Sequence, residues 1–278
     1  TLSDDFKKTT ISAAKLLDII ETPPKVDRKV GDSLRDVKGK IEFRDVTFKY
    51  ATAKTNAVQH LSFVINPGET VAFVGESGCG KSTTLQLIQR FYEIDDGMIL
   101  LDDVDMRTLS PMFIRSQIAI VPQSPVLYSM SILDNIRYAN PENTTDAEVA
   151  EAARIGNAHN FIMEMPQNYK SEVQQTSLSG GQKQRICISR AIVAHTPILL
   201  LDEATAALDT ESERLVQQSL ETFRQGKTAI LVAHRLATVM NADRILVFSE
   251  GRVVEEGNHQ QLIAKGGIYA DLVKFQLQ

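Results

Sequence analysis

The sequence predicts an α/β fold with a mostly parallel sheet, an antiparallel β region on its N-terminal side and an inserted helical region. Short, fully apolar segments such as "TVAFV" and "ILLLD" alternate with helical patterns, as expected for strands buried on both faces of a parallel sheet. The earlier segment "KIEFRDVTFKY" alternates apolar and polar residues, which is typical of a half-buried strand. A glycine-rich loop directly follows "TVAFV" and leads into a predicted helix.

The first 38 residues differ from the rest of the chain. "ISAAKLLDIIE" predicts a short amphipathic helix that ends at Pro23-Pro24, and the polar run after it is typical of a linker. Two interpretations stay open here: a helix packed on the following domain, or the end of a longer region. From Lys40, apolar residues at every second position predict one strand, and "LSFVI" before a Pro-Gly turn predicts another.

The segment 110–185 is mostly helical in its pattern. Ser110-Pro111 predicts the start of one helix, because Ser is a favoured N-cap and Pro fits the first helical turn. Thr145 and Glu148 have the spacing of a capping box and predict the start of another.

Three apolar strand candidates follow the helical segment: "ILLLD", "TAILVAH" and "RILVFSEG". We therefore expect a linker at residues 1–38 and one domain at residues 39–278. Residues 110–185 are expected to form a helical subdomain inserted in the core of that domain.

Composition and charge argue against several classes of protein. The net charge of −5 predicts no nucleic-acid partner, because nucleic acid favours a basic patch. The longest apolar runs are far shorter than the ~20 residues that span a bilayer, and no signal peptide opens the chain. Cys79 and Cys187 lack CxxC spacing and indicate a reducing compartment. A soluble, cytoplasmic chain is expected.

The segment "GESGCGKS" at residues 75–82 fits the phosphate-loop pattern GxxxxGK[ST] and lies between a predicted strand and helix. Backbone N–H groups of such a loop wrap a phosphate, and the helix dipole favours its negative charge. Lys81 is expected to reach the β- and γ-phosphates, and the Ser82 hydroxyl to bind Mg²⁺. The alternative is a glycine turn with a chance Lys-Ser pair.

Asp202 and Glu203 end the apolar strand "ILLLD". Ligands of α/β sheets bind at the carboxyl ends of the strands, so a carboxylate there suits a site. Asp202 is expected in the Mg²⁺ shell, and Glu203 is expected to polarise a water for attack on the γ-phosphate. The alternative is an acidic pair that merely opens a polar loop.

Three further polar or aromatic residues lie at strand ends. Gln123 follows "IAIVP" and His234 ends "AILVAH"; each is a hydrolysis-site candidate, or a hydrogen-bonded residue without a role in the site. Gln123 suits a sensor of Mg²⁺ and water, and His234 a partner of the γ-phosphate. Tyr50 is either a stacking platform for a nucleotide base or a packing aromatic.

A second anion-binding pattern, "LSGGQKQR", occupies residues 178–185. Ser179 is a good N-cap, Gln182 completes a capping box, and the two glycines let backbone N–H groups face a ligand. The sequence therefore predicts two phosphate sites in one domain.

These motifs, in this order, resemble the ATPase domain of an ABC transporter, especially exporters of the multidrug-resistance (P-glycoprotein-like) group. The resemblance covers about residues 40–278, while residues 1–38 resemble that group's segment leaving the last transmembrane helix. It implies a P-loop NTPase (RecA-like) core with ATP and Mg²⁺ as cofactors. By matching position, it implies these site residues: the adenine-stacking Tyr50; the Walker A loop of Gly75, Glu76, Ser77, Gly78, Cys79, Gly80, Lys81, Ser82 and Thr83; the Q-loop residue Gln123, also a metal ligand with Ser82 and Asp202; the signature residues Ser179, Gly180, Gly181 and Gln182; the catalytic Glu203; the D-loop residue Asp209; and the switch residue His234.

In that family, two domains pair head to tail, and each ATP lies between the Walker A loop of one and the signature of the other. The resemblance thus implies an ATP-hydrolysing motor domain of an exporter on the cytoplasmic face of a membrane. Its partners are expected to be a second ABC ATPase domain and a transmembrane domain. The stretch "EVQQTSLSGGQ" is two residues shorter than the family's "VGERGxxLSGGQ", which we expect to affect coupling to the membrane domain rather than ATP binding.

Two other functions stay open. One is a soluble ABC-type ATPase that acts on DNA or ribosomes, although a long coiled-coil insertion or a tandem second cassette would be expected for it. The other is a regulatory module that binds nucleotide without hydrolysis, against which Glu203 and His234 argue.

Overall fold

Ten β-strands form two sheets in the part of the chain that this computed structural model describes, residues 2–22, 27, 29–175, 177–202, 210–232 and 236–276. The strands are β1 (Ile41–Phe48), β2 (Val58–Ile65), β3 (Thr70–Val74), β4 (Asp96–Leu101), β5 (Val104–Asp105), β6 (Ile118–Val121), β7 (Ile198–Asp202), β8 (Thr228–Val232), β9 (Arg244–Ser249) and β10 (Arg252–Gly257). The helices are α1 (Leu2–Glu21), α2 (Lys81–Ile88), α3 (Pro111–Ser116), α4 (Ile132–Arg137), α5 (Asp146–Ile155), α6 (His159–Met163), α7 (Gly180–Val193), α8 (Thr210–Arg224), α9 (Leu236–Met240), α10 (His259–Lys265) and α11 (Ile268–Gln276).

The smaller sheet is antiparallel, with strand order β2-β1-β4-β5. Ile41 of β1 lies opposite Ile65 of β2 on one side and Leu101 of β4 on the other. All three side chains are buried on the same face, as the alternation in the sequence of β1 predicts. The predicted N-terminal antiparallel region is confirmed.

The larger sheet has strand order β10-β9-β3-β8-β7-β6, and every strand except the edge strand β10 pairs in parallel. Successive residues of a strand point to opposite faces, and both faces are buried. In β3, Phe73 packs toward the smaller sheet and α2, while Ala72 packs toward the helices on the other side. Burial on both faces explains why these strands are apolar at every position and confirms the predicted parallel core.

A row of phenylalanine rings joins the two sheets. Phe43 stacks on Phe63 within the smaller sheet, with ring centroids 4.6 Å apart. Phe63 contacts Phe73 edge to face at 5.7 Å, and Phe73 contacts Phe248 of β9 at 4.8 Å. Such rings bury a large apolar area and gain further from their offset or edge-to-face arrangement, so they hold the two sheets in register.

The helix starts predicted from capping patterns are confirmed. Ser110 is the N-cap of α3, with Pro111 in its first turn. Thr145 and Glu148 form a complete capping box at α5. The helices of the range 110–185 are interrupted by β6, which pairs with β7 in the larger sheet.

Helix α1 extends further toward the N-terminus than its pattern predicts. All its side chains that the structure describes, at positions 9–21, are exposed, including Ile19 at 72% and Ile20 at 76%. The interpretation of a helix packed on the following domain is therefore wrong for these residues. None of the helices among the described residues is both long and apolar enough to cross a membrane.

The polar segment 31–40 contacts the domain along most of its length. Asp32 pairs with the backbone beside Leu109, and its neighbour Gly31 approaches that backbone so closely that an added Cβ would lie 2.5 Å from it. The Asp102 carboxylate accepts hydrogen bonds from the backbone N–H groups of Lys38, at 2.7 Å, and Lys40, at 2.8 Å. These bonds attach the end of the segment to the β4–β5 turn.

We predict that Asp102→Gly lowers the free energy of unfolding by about 1–3 kcal/mol, because it removes both charge-assisted hydrogen bonds. Glycine keeps the positive φ of this position, 48°, so the turn itself is not strained. Urea unfolding measures the effect. The matched control is Asp103→Gly, at the next positive-φ position, where only an ion pair with the side chain of Lys40 is lost. Equal losses for the two variants would contradict the role of Asp102.

Candidate functional site

Four parallel strands bring their carboxyl ends to one edge of the larger sheet. The backbone register pairs Phe73 of β3 with Val232 of β8, Val232 with Asp202 of β7, and Leu201 of β7 with Val121 of β6. The phosphate loop directly follows β3, and Gln123 follows β6 by two residues. Residues that lie far apart in the sequence thus meet at the edge where parallel sheets bind ligands.

The phosphate loop leads into α2, whose N-terminus has no side-chain cap and no acidic residue in its first turn. The first N–H groups of a helix have no partner within the helix, so they can donate to an anion. Lys81 is only 5% exposed, and its Nζ donates to the backbone oxygens of Gly75 and Glu76, each at 2.8 Å. The ammonium group is therefore held inside the loop, next to these N–H groups.

The end of β9, the β9–β10 turn and the segment before β2 support the loop from behind, and two glycines make this packing possible. A Cβ at Gly75 would lie 2.3 Å from the Phe248 carbonyl oxygen, and one at Gly80 would lie 2.7 Å from that of Ala57. Both have positive φ, 145° and 108°, which residues other than glycine rarely adopt. The Gly251 N–H donates to the Cys79 oxygen at 3.1 Å, so the turn also fixes the loop by a hydrogen bond.

The donor chemistry of this loop fits a phosphate, and the oxygen groups around it fit Mg²⁺. Ser82 and Gln123 are exposed and Asp202 is half-buried, so their oxygens can face a ligand. Within the described ranges, no group of three or more His, Cys, Asp and Glu side chains could hold a metal ion. The oxygens of Ser82, Gln123 and Asp202 are donors of the kind that suits Mg²⁺, which proteins bind through one or two side chains together with water and substrate phosphates.

Tyr50 lies beside α2 at the end of β1. Its hydroxyl is within hydrogen-bond distance of Gln86 Oε1, at 2.7 Å, and of Thr83 Oγ1, at 3.0 Å. Its ring meets those of Phe48 and Tyr92 edge to face, at 4.9 and 5.2 Å. These contacts fix the orientation of a half-buried aromatic ring next to the phosphate loop, which is the placement that base stacking needs.

The signature segment begins α7 with the predicted capping box. Ser179 Oγ accepts from the Gln182 N–H at 3.2 Å, and Gln182 Oε1 accepts from the Ser179 N–H at 2.9 Å. Helix α7 packs mainly against α4, α5, α8 and β6. Since a short connection joins its C-terminus to β7, it runs back along the sheet, and its N-terminus lies toward the edge that carries the phosphate loop.

Two polar residues of α7 were not predicted from the sequence. Gln184 is 1% exposed, and its Nε2 donates to the Pro122 carbonyl oxygen at 3.1 Å. Arg190 donates to the Val126 oxygen at 2.9 Å and to Asn135 Oδ1 at 2.9 Å. Gln184 shares a helical stripe with the buried Ile188, and a polar residue within an apolar stripe is the signal that could have identified it.

The shortened stretch before the signature pairs with the start of α4. The Ser171 oxygen accepts from the Ile132 N–H at 3.0 Å, and the Val173 N–H donates to the Met130 oxygen at 3.2 Å. A single helical turn, Val173–Gln175, follows. The segment is thus attached to the same part of the domain as the loop after β6.

Three predicted site residues lie outside the described residues: Glu203, Asp209 and His234. The last described positions before Glu203 and His234 are Asp202 and Val232, which are paired at the carboxyl ends of β7 and β8. The predicted roles of all three stay predictions.

A family model described as "ABC transporter" matches residues 58–206, which is more than half of the chain. The chain belongs to the ABC transporter family. It is 45% identical over 279 residues to "Multidrug resistance protein 1" of Entamoeba histolytica, covering 98% of this chain and 21% of that protein. It is 42% identical over 279 residues to "ATP-dependent lipid A-core flippase" of Pseudoalteromonas atlantica, covering 99% of this chain and 47% of that protein.

The fold of this ABC transporter chain is also that of a solved relative, "Structure of a bacterial Atm1-family ABC exporter with ATP bound". The TM-score is 0.88 at 36% identity, covering 98% of this chain and 48% of that one. The chain spans about a fifth to about half of the length of these relatives. The predicted family and the predicted fold class are both confirmed.

In the signature of this ABC chain, Gly181 has a packing role as well as a predicted ligand role. A Cβ at this position would lie 2.4 Å from Ser212 Oγ and 2.5 Å from Ser212 Cβ. Ser212 is in the first turn of α8, so Gly181 lets the starts of α7 and α8 come together. The signature helix is therefore packed on α8, which begins at Thr210.

We predict that Gly181→Ala lowers the free energy of unfolding by about 1–3 kcal/mol, because the new methyl group overlaps Ser212. In the first turn of a helix, alanine would otherwise be the better residue. Thermal unfolding of Gly181→Ala, Ser212→Gly and the double variant tests this. The double variant should lose less stability than the sum of the losses of the two single variants.

The matched control is Gly180→Ala, at the exposed neighbouring position, which should not lose stability. Additive effects of Gly181→Ala and Ser212→Gly would contradict the proposed overlap.

Proposed function

We propose that this chain is the ATP-binding and ATP-hydrolysing motor domain of an ABC exporter. The observation that carries the proposal is the geometry of the phosphate loop. A buried Lys81 ammonium lies beside the uncapped N-terminus of α2, and Asp202 ends β7, two strands away in the same sheet. The relative with known structure at 36% identity has ATP bound, which supports ATP as the nucleotide.

The chain's own residues supply most of the chemistry of phosphoryl transfer. The N–H groups of α2 and the Lys81 ammonium hold the phosphates, and Tyr50 orients the base. Ser82, Asp202 and Gln123 would hold Mg²⁺, which would supply positive charge to offset that of the phosphates. Glu203 accepts a proton from the attacking water, because a carboxylate after a strand end is placed for general-base work.

The family pattern gives roles to two further residues. His234 donates a hydrogen bond to the γ-phosphate, and Asp209 lies at the contact with a second domain. Both roles follow from matching position in the family pattern, and both residues are outside the described ranges.

The partner is a second copy of such a domain, paired head to tail. β3 and β6 are separated by β8 and β7. The strand β3, which leads into the phosphate loop, and the strand β6, which contacts α7, are therefore about 14 Å apart. Both anion-binding helix starts lie toward one edge but at different places along it. A two-fold axis would set the phosphate loop of each copy against the signature of the other, as a self-complementary interface requires.

The other partner is a transmembrane domain, which places the chain on the cytoplasmic face of a membrane. The relatives are longer than this chain, and the name of one of them is that of a lipid flippase. Helix α1 presents Leu16, Leu17, Ile19 and Ile20 to solvent, and side chains of this kind on a helix favour a packing partner.

We predict that Glu203→Gln lowers the rate of ATP hydrolysis by about 10²–10⁴-fold, because it removes the general base. ATP affinity should stay within about threefold, since the phosphate loop and Tyr50 are unchanged. Phosphate release and equilibrium binding of a fluorescent ATP analogue measure the two quantities.

The matched control is Glu151→Gln, at an exposed glutamate of α5, which should hydrolyse ATP at the normal rate. An unchanged rate for Glu203→Gln would exclude Glu203 as the catalytic carboxylate and favour a module that binds nucleotide without hydrolysing it.

We predict that Ser179→Arg leaves ATP affinity nearly intact and abolishes ATP-dependent pairing. The bulky cation occupies the helix start that the partner's phosphate would approach. Size exclusion in the Glu203→Gln background, with and without ATP, measures the pairing.

The matched control is Thr145→Arg, which breaks the capping box of α5 and should still pair. If Ser179→Arg lost ATP binding and pairing together, the signature would act on the ATP of its own chain.

A further inference from the structure

The signature helix contacts the loop that carries Gln123 at the start of that loop and near its middle. We define the Gln123 loop as residues 122–131, between β6 and α4. Gln184 Nε2 donates to the Pro122 oxygen at 3.1 Å, and Arg190 Nη1 donates to the Val126 oxygen at 2.9 Å. Cys187 Sγ lies 3.7 Å from the same Val126 oxygen. One face of α7, at positions 184, 187 and 190, therefore lines the loop.

The buried position of Gln184 calls for a physical reason. Its side chain is 1% exposed, and burying an amide without a hydrogen bond is destabilising. The bond to the Pro122 oxygen offsets this destabilisation. Pro122 has no N–H group, so its carbonyl oxygen is its single backbone group that can be held by a hydrogen bond.

This bond acts directly on the peptide group that precedes Gln123. The carbonyl of Pro122 and the nitrogen and Cα of Gln123 belong to one planar peptide unit. Holding the oxygen restrains the plane of that unit, and with it the nitrogen and Cα of Gln123, from which the side chain leaves the backbone. The Gln184 bond thus restrains the backbone at Gln123 across one peptide unit.

The far end of the loop is held by different residues. Asn135 is fully buried, its Oδ1 accepts from the Tyr128 N–H at 2.8 Å, and its Nδ2 donates to the Ser131 oxygen at 3.0 Å. Arg190 donates to Asn135 Oδ1 as well. Loss of the Gln184 bond would therefore release the start of the loop while its end stays attached to α4 and α7.

We propose that Gln184 is a positioning residue that holds Gln123 through the Pro122 carbonyl, so that Gln123 follows the movement of the signature helix. The inference rests on the proposed function, because it takes Gln123 as a residue of the ATP site. Helix α7 begins at the signature, which contacts the ATP of the partner, and the Gln184 bond connects the helix to the chain's own ATP site. Within one chain, this hydrogen bond thus connects the signature helix, which faces the partner's ATP, to the loop of the chain's own ATP site.

The test uses the complete natural polypeptide that contains this chain, with Gln184→Met, a side chain of similar length that cannot donate. Hydrogen–deuterium exchange is measured without nucleotide. Exchange in residues 123–126 should rise about fivefold or more, because a hydrogen bond of ordinary strength is lost. Ser189→Ala is the matched control, since the buried Ser189 hydroxyl donates within α7 to the Arg185 oxygen and does not touch the loop.

With ATP, kcat of Gln184→Met should fall about 5–10-fold, while the Kd of a fluorescent ATP analogue stays unchanged. In a Gln123→Ala background, Gln184→Met should lower kcat no further, because both changes act through one side chain. Gln184→Asn, which keeps an amide but is one methylene shorter, should behave like Gln184→Met. Thermal unfolding identifies which of the two variants is folded and can be used.

Unchanged loop exchange in folded Gln184→Met or Gln184→Asn would overturn the inference. So would an equal loss of kcat in the Gln123→Ala background, or an equal loss in Ser189→Ala. If Lys81→Ala and Gln123→Ala both kept the normal kcat, the proposed function itself would fail. If those two variants lost activity and Gln184→Met did not, only the role of Gln184 would be excluded.

Discussion

Burial of the larger sheet on both faces is the constraint on which the rest of the structure depends. Helices cover one face, and α2 with the smaller sheet covers the other, so a polar side chain within β3, β7 or β8 would lose its water without gaining a partner. Polar residues can therefore occur in these strands only at the strand ends. The parallel arrangement then brings the carboxyl ends to one edge, where Asp202 and the phosphate loop lie.

Helix α7 meets a second constraint: it lies in an apolar interior and must still make hydrogen bonds there. Ile186, Ile188 and Ile192 of this helix pack into the helical core, while Gln184 and Arg190 hold carbonyl oxygens of the loop after β6. The same helix approaches α8 through a glycine. A signature at the start of such a helix cannot shift alone, since every displacement is shared with that loop and with α8.

Local patterns predicted much of this arrangement. Alternation in β1, apolar runs in β3 and β7, and three-residue spacings at Thr145 and Ser179 are all properties of neighbouring residues, so the sequence displays them. The contacts that were missed join distant residues. Segment 31–40 has the composition of a linker, yet Asp102 binds it across more than 60 positions, and the bond from Gln184 to Pro122 spans 62. No local spacing contains such information, so only the fold could reveal it.

The two anion-binding helix starts differ in a way that orders the proposed cycle. At α2, no side chain caps the first turn, and a buried ammonium lies beside it, so a phosphate gains several donors at once. At α7, the capping box already satisfies the N–H groups of Ser179 and Gln182, which leaves fewer donors for an anion. On the proposed function, we therefore expect the signature alone to bind nucleotide weakly. We expect it to gain a phosphate only when the partner's phosphate loop delivers one at high local concentration, so that ATP binding precedes pairing. Because the signature would contribute little by itself, loss of the γ-phosphate would be enough to let the proposed pair separate.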